Sequence, residues 1–198
     1  MNGIFRNVAL VALLLGLNAC AEPRDSQSAM TRPPPAAGAQ FALLDPAALP
    51  KGPLQCVPYA RLASGIAIRG DAWTWWGQAE EVHGRGQWPQ VGAVLVFKRT
   101  QRLQRGHVSV VARIVSAREI LVTHANWTST SGSRGKVTHN VRVIDDSPGN
   151  DWTEVKVWNE GTGTFGRSYP AYGFIYRPPA TQPAAISALP AGVPLAGG

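Results

Sequence analysis

His107-Val108-Ser109-Val110-Val111-Ala112-Arg113-Ile114-Val115 and Glu119-Ile120-Leu121-Val122-Thr123-His124, joined by Ser116-Ala117-Arg118, decide the fold of this chain. Both runs are dense in β-branched residues, which favour extended backbone. A connection this short leaves room only for a hairpin, so the two strands run antiparallel. Upstream, Gly92-Ala93-Val94-Leu95-Val96-Phe97 is an unbroken apolar run and reads as a buried strand. Downstream, residues 137–144 alternate as a half-exposed strand should, and residues 152–158 and 172–176 read as further strands. Ahead of the strands lie two helical segments. Residues 55–66 place Val57, Ala60, Leu62, Ala63 and Ile66 on a helical stripe that ends at or soon after Gly65. Pro58 tolerates a helix only in its first turn, which puts Cys56 at or just before the helix N-terminus. Residues 71–79 form a second short helix with Asp71 as its cap. Helices followed by strands give an α+β class, with N-terminal helices packed on an antiparallel β-sheet.

The flanks of this region are different. Arg6 and the apolar run Val8 to Leu17 have the layout of an export signal, and the run is shorter than the ~20 residues a bilayer span needs. It ends on Leu17-Asn18-Ala19-Cys20, which resembles the bacterial lipobox. Residues 1–19 are therefore expected to be a lipoprotein signal peptide, with Cys20 lipidated as the first mature residue. The alternative is an ordinary signal peptide cut near Ala19 or Ala21. A diacylated cysteine supplies the two chains that stable anchoring requires. Residues 20–53, with Pro33-Pro34-Pro35 at their centre, read as a Pro/Ala-rich tether, and residues 178–198 as a disordered tail. Residues 54–177 hold all seven tryptophans and are enough for one modest core.

The formal net charge of +7 drops to +6 once Arg6 leaves with the signal. A basic exported protein suits an anionic envelope polymer or surface, and export argues against a nucleic-acid partner. Arg99, Arg102 and Arg105 make the one local cluster, read as a solvated loop between strands.

With Cys20 consumed by processing, Cys56 is the single free thiol, and an unpaired exported thiol needs a chemical reason. A helix N-terminus lowers a thiol's pKa and offers free N–H groups to an oxyanion. A nucleophile also needs a base and a group to orient the base. His107 opens one strand and His124 closes its hairpin partner, so the two rings are expected to meet near Cys56. Asn126 would share the face of His124 if the strand continued. His83 lies in a polar loop and His139 on an exposed strand. Against this stands the bland alternative of a buried, inert cysteine. Cys56, His107 and His124 lack the short-spaced pairs typical of zinc, and no metal or cofactor is expected.

Gln55-Cys56-Val57-Pro58-Tyr59-Ala60-Arg61 followed by Gly70-Asp71-Ala72-Trp73-Thr74-Trp75-Trp76 resembles the opening of a CHAP domain, the cysteine- and histidine-dependent amidohydrolase/peptidase family. The segments at 89–97, 105–111, 124–127 and 172–176 resemble its later strands, in order, over the window 54–177. The resemblance implies a papain-like fold and hydrolysis of an amide bond in peptidoglycan through an acyl-enzyme. It assigns Cys56 as nucleophile, His107 as base and then acid, and the Cys56 N–H with Gln55 as oxyanion donors. His124 stands where many members have an acidic residue, so the orienting role falls to His124 or Asn126. Tyr59, Trp73, Trp76 and Trp127 are the expected substrate-binding aromatics, with one of the neighbours Trp75 and Trp76 turned into the core.

Three functions are weighed. The first is a lipid-anchored peptidoglycan amidase or endopeptidase, monomeric, held in the cell envelope at the outer membrane and facing the periplasm. The second is a non-catalytic peptidoglycan-binding lipoprotein with a CHAP-like fold. The third, an amidase on small γ-glutamyl or polyamine conjugates, fits export and anchoring less well.

Overall fold

The computed structural model describes residues 49–127 and 134–177. The expected signal peptide, Cys20, most of the tether and the tail lie outside the described residues. Helix α1 (Cys56–Ser64) opens the domain and stops where Gly65 turns left-handed at φ 76°. A 3-10 turn (Ala72–Thr74) leads into the single-turn helix α2 (Trp75–Gln78). Seven strands follow: β1 (Arg85–Gly86), β2 (Val94–Phe97), β3 (His107–Ser116), β4 (Glu119–Ala125), β5 (Val137–Asp145), β6 (Glu154–Asn159) and β7 (Thr164–Ile175). All pairings are antiparallel, in the order β1-β7-β2-β3-β4-β5-β6, and β7 also pairs with β6. The sheet therefore closes on itself as a barrel from β2 to β7, with β1 appended outside β7.

The reason β2 reads as a continuous apolar run is that both of its faces are covered. Val94 and Val96 meet α1, Ile66 and Trp75, while Leu95 and Phe97 join Val111, Val122, Val143, Trp152 and Phe174 in the second core. Tyr59, Ala60 and Ala63 of α1 share the first of these cores. Burying each Val, Leu, Ile or Phe of these cores contributes about 1.5–3 kcal/mol against exposure. Short helices thus stay in place by packing and not by propensity.

Two sequence expectations change in detail. The second helix is smaller than residues 71–79, because Trp75, Trp76 and Thr74 are weak helix formers and Gly77 is weaker still. Asp71 stands at the N-cap position with extended backbone, yet makes no side-chain cap hydrogen bond. Its Oδ1 accepts from Arg105 Nε at 2.7 Å instead. The last strand begins at Thr164 and not at Tyr172, since β7 changes partners half way along. Residues 164–170 pair with β6 and residues 171–175 with β2, across a break in register. Pro170 and Gly173 sit near this corner, and Gly173 holds φ 124°, with the Gly86 carbonyl 2.6 Å from where a Cβ would stand. The same Pro and Gly that make the strand hard to read allow the bend that closes the barrel.

Candidate active site

Cys56 is the first residue of α1 and Gln55 its N-cap, so the thiol lies among backbone N–H groups with no helical partner. The backbone N–H groups of Val108, Val57 and Cys56 itself favour the thiolate. Val108 directly follows His107 on β3. Cys56 and His107 line one cleft of about 830 Å³. Gly106 makes the approach to His107 possible. It holds φ 66°, and a Cβ there would come within 2.7 Å of the Trp73 backbone nitrogen.

The two histidines meet. His107 Nε2 and His124 Nδ1 are 3.0 Å apart, both rings buried. This hydrogen bond leaves His107 Nδ1 as the ring nitrogen free for another partner. Trp127 covers the pair, with its ring 4.7 Å from His107 and 5.5 Å from His124, and Phe97 closes the other side at 5.5 Å from His107. The enclosure has an electrostatic result. Burial, and then the charge of the neighbouring His124, hold His107 well below the usual imidazole range. Burial takes His124 down to about 3. Burial pushes the Cys56 thiol up, against the opposing pull of the three N–H groups and Arg105. The resting pair is a thiol and a neutral imidazole, and no hydrogen bond joins them among the described residues. Such contacts are often loose without substrate.

Two buried neutral imidazoles make stability depend on acid. In the unfolded chain each ring takes a proton near pH 6.5, whereas in the fold it does so only at much lower pH. Between those limits the unfolded state binds more protons, so stability is full above pH 6.5 and falls as the pH drops below it. The slope is on the order of 1 kcal/mol per pH unit for each ring. Denaturant midpoints are expected to stay level from pH 7.5 to about 6.5 and to fall from there to pH 5. A flat profile for wild type alongside a flat profile for His124→Gln would show that neither ring is held neutral.

Asn126 takes a different place from the one alternation suggests. β4 ends at Ala125, and Asn126 turns left-handed at φ 60°, which breaks the period of two. Its Nδ2 donates to Gln55 Oε1 at 2.6 Å, and its Oδ1 accepts from the Gly135 N–H at 2.8 Å. The group on His107 is His124, not Asn126. With Gln55 Oε1 engaged by Asn126, the Gln55 Nε2 hydrogens are left to face elsewhere, and Gln55 lines the cleft.

The expected aromatics divide. Trp127 lines the cleft, beside Tyr169 at 5.2 Å. Tyr59 does not, because it points into the core at 1% exposure, where burial pushes its hydroxyl up to about 12. Trp73 and Trp76 also lie outside the cleft lining. Trp76 stacks on Tyr172 at 5.9 Å beneath Arg85, while Trp75 is fully buried. His139 is exposed on β5 and His83 follows α2, both away from the cleft. Among the described residues no three metal-ligating side chains cluster.

Several cleft residues escape a reading of the sequence. Arg102 and Arg105, expected in a solvated loop, line the cleft, and Asp71 pins Arg105 there. Their place just before His107 is the signal that could have found them. Asn159, Arg167 and Tyr169 come from β6 and β7, and only closure of the barrel brings them over.

A helix-tip thiol beside a histidine pair on an antiparallel sheet defines the class of site. Residues 47–126 match the family model of the CHAP domain. That span runs from the approach to α1 through Asn126, and it contains Gln55, Cys56, His107 and His124. No curated protein matches the chain. CHAP domains are usually hydrolases, amidases or peptidases, with peptidoglycan as their customary substrate.

Proposed function

We propose that this protein is a peptidoglycan amidase or endopeptidase that works through Cys56 and His107, in a papain-like arrangement of helix-borne thiol and strand-borne imidazole. The observation that carries the proposal is the 3.0 Å contact between His107 Nε2 and His124 Nδ1, in a cleft that also holds the thiol. If His107 Nε2–H donates to His124 Nδ1, the lone pair of His107 is on Nδ1, ready to accept the thiol proton. The opposite tautomer would leave a proton on Nδ1 and no base. His124 thus selects the working tautomer.

Chemistry follows from this. Cys56 Sγ attacks the amide carbonyl carbon as its proton passes to His107 Nδ1. The oxyanion forms against the Cys56 N–H and the Gln55 Nε2 hydrogens, whose orientation Asn126 holds. His107 returns the proton to the leaving nitrogen, the C–N bond breaks and a thioester remains. Water then attacks the thioester, gives its proton to His107, and Cys56 leaves again as the thiol. Trp127 supports the sequence by keeping both imidazoles dry.

The lipobox-like ending at Cys20 supports export and lipid anchoring, with the outer membrane facing the periplasm as the location and a monomer as the working unit. Binding without cutting is the second reading, favoured by the protonated thiol and the missing thiol–imidazole hydrogen bond. Mass spectrometry of muropeptides after incubation with the purified chain separates the two. New amine termini at one defined bond are expected. Peptidoglycan that sediments with the protein and stays uncut would establish the binding role in place of hydrolysis.

A further inference from the structure

The charged side chains of the cleft are unbalanced. Arg102, Arg105 and Arg167 line it, and Asp71 is its one acidic residue. Arg105 is committed to Asp71 at 2.7 Å. Arg102 and Arg167 are exposed, and their side chains have no hydrogen bond or ion pair among the described residues. Four other basic residues have acidic partners, Arg85 with Glu80, Arg118 with Asp145, Arg142 with Glu119 and Lys156 with Asp146, so what sets Arg102 and Arg167 apart is that both line the cleft that holds the thiol. The two cleft arginines also come from separate elements. Arg102 belongs to the connection between β2 and β3, and Arg167 to the first half of β7.

We propose that this cleft selects an acyl substrate whose amide is flanked by free carboxylates, with Arg102 and Arg167 as the residues that read them. The proposal rests on the hydrolase reading for its amide and deepens it by naming the substrate's charge. A guanidinium offers a planar fork of donors that matches a carboxylate in two-point contact. Two such groups in one cleft, with low-dielectric walls from Trp127, Tyr169 and Val157, focus a positive field on the approaching peptide. Arg105 differs in role. Held by Asp71, it stays where its charge favours the Cys56 thiolate. A neutral glycan strand gains nothing from Arg102 or Arg167, whereas a stem peptide with unamidated acidic residues gains at both.

The test uses soluble peptidoglycan fragments and the same fragments after chemical conversion of their carboxylates to carboxamides. Binding is measured by calorimetry on the full chain carrying Cys56→Ala, so that no turnover intervenes. The native fragments are expected to bind about tenfold more tightly than the amidated ones. Adding Arg102→Gln and Arg167→Gln should bring that ratio to about one. Raising salt from 0.05 to 0.5 M should shrink it as well, because exposed charges are screened (the Debye length is ~10 Å at 0.1 M). An equal affinity for both pools, or a ratio unchanged in the doubly substituted chain, overturns the proposal. Wild-type turnover of the two pools is read in parallel. A preference in binding with no turnover removes hydrolysis and leaves the carboxylate selection standing. Turnover with no preference does the reverse.

Discussion

Cys56→Ala is expected to reduce amine release from peptidoglycan to background, a loss of at least about 10⁴-fold, with the fold unchanged. In the proposed mechanism the nucleophile, base and orienting group act as a unit, so removal of the sulfur alone would forfeit the covalent route. Structure should survive, since the change removes one half-buried atom at a helix start and costs on the order of 1 kcal/mol. Thermal melting of the variant checks this. Cys56→Ser should be almost as inactive, because a hydroxyl is far less acidic than a thiol and the partner of His107 is a neutral imidazole, not a carboxylate that would support the imidazolium. Full cleavage by Cys56→Ala would mean that the thiol is not the nucleophile.

His124→Ala is the second large effect, with kcat reduced about 10²- to 10³-fold and KM changed little. It leaves His107 Nε2 buried without its 3.0 Å partner, and frees the ring to adopt the tautomer whose Nδ1 carries a proton. A purely structural His124 would be replaced equally well by any residue of similar volume. His124→Glu separates the cases by adding a charge. A carboxylate beside His107 favours the imidazolium, so proton transfer from Cys56 becomes easier at rest. Alkylation of Cys56 by iodoacetamide at neutral pH should therefore quicken in His124→Glu relative to wild type, where burial keeps the thiol protonated. Unchanged alkylation in His124→Glu, together with wild-type kcat in His124→Ala, would remove His124 from the mechanism. Asn126 provides a contrast, because its contacts are Gln55 and Gly135 and not the imidazole.

Much of this site is legible in the sequence for local reasons. Pro58 restricts where α1 can begin, and so fixes Cys56 at its tip. The two-residue connection Ala117-Arg118 makes β3 and β4 a hairpin, so the start of one strand must lie near the end of the other. His107 and His124 meet for that reason. Asn126 was misplaced because alternation holds only while the strand lasts, and a left-handed residue ends it. Tyr59 differs from expectation because it belongs to the buried face of α1, with Ala60 and Ala63, that packs on the sheet, while Cys56 reaches the cleft from the helix tip.

Sequence by itself determined the order of elements, the helix-tip thiol and the hairpin that pairs the imidazoles, because each depends on neighbours along the chain. The tertiary structure alone decided what surrounds them. Arg167 and Tyr169 reach the cleft only because β7 bends at Pro170 and joins β6 to β2. Likewise Arg102 and Arg105 become part of the cleft, not a loose loop, through the Asp71 contact across 34 residues of chain. Ring closure and long-range charge pairing join residues that no local pattern connects, and the sign of the cleft's charge is set there.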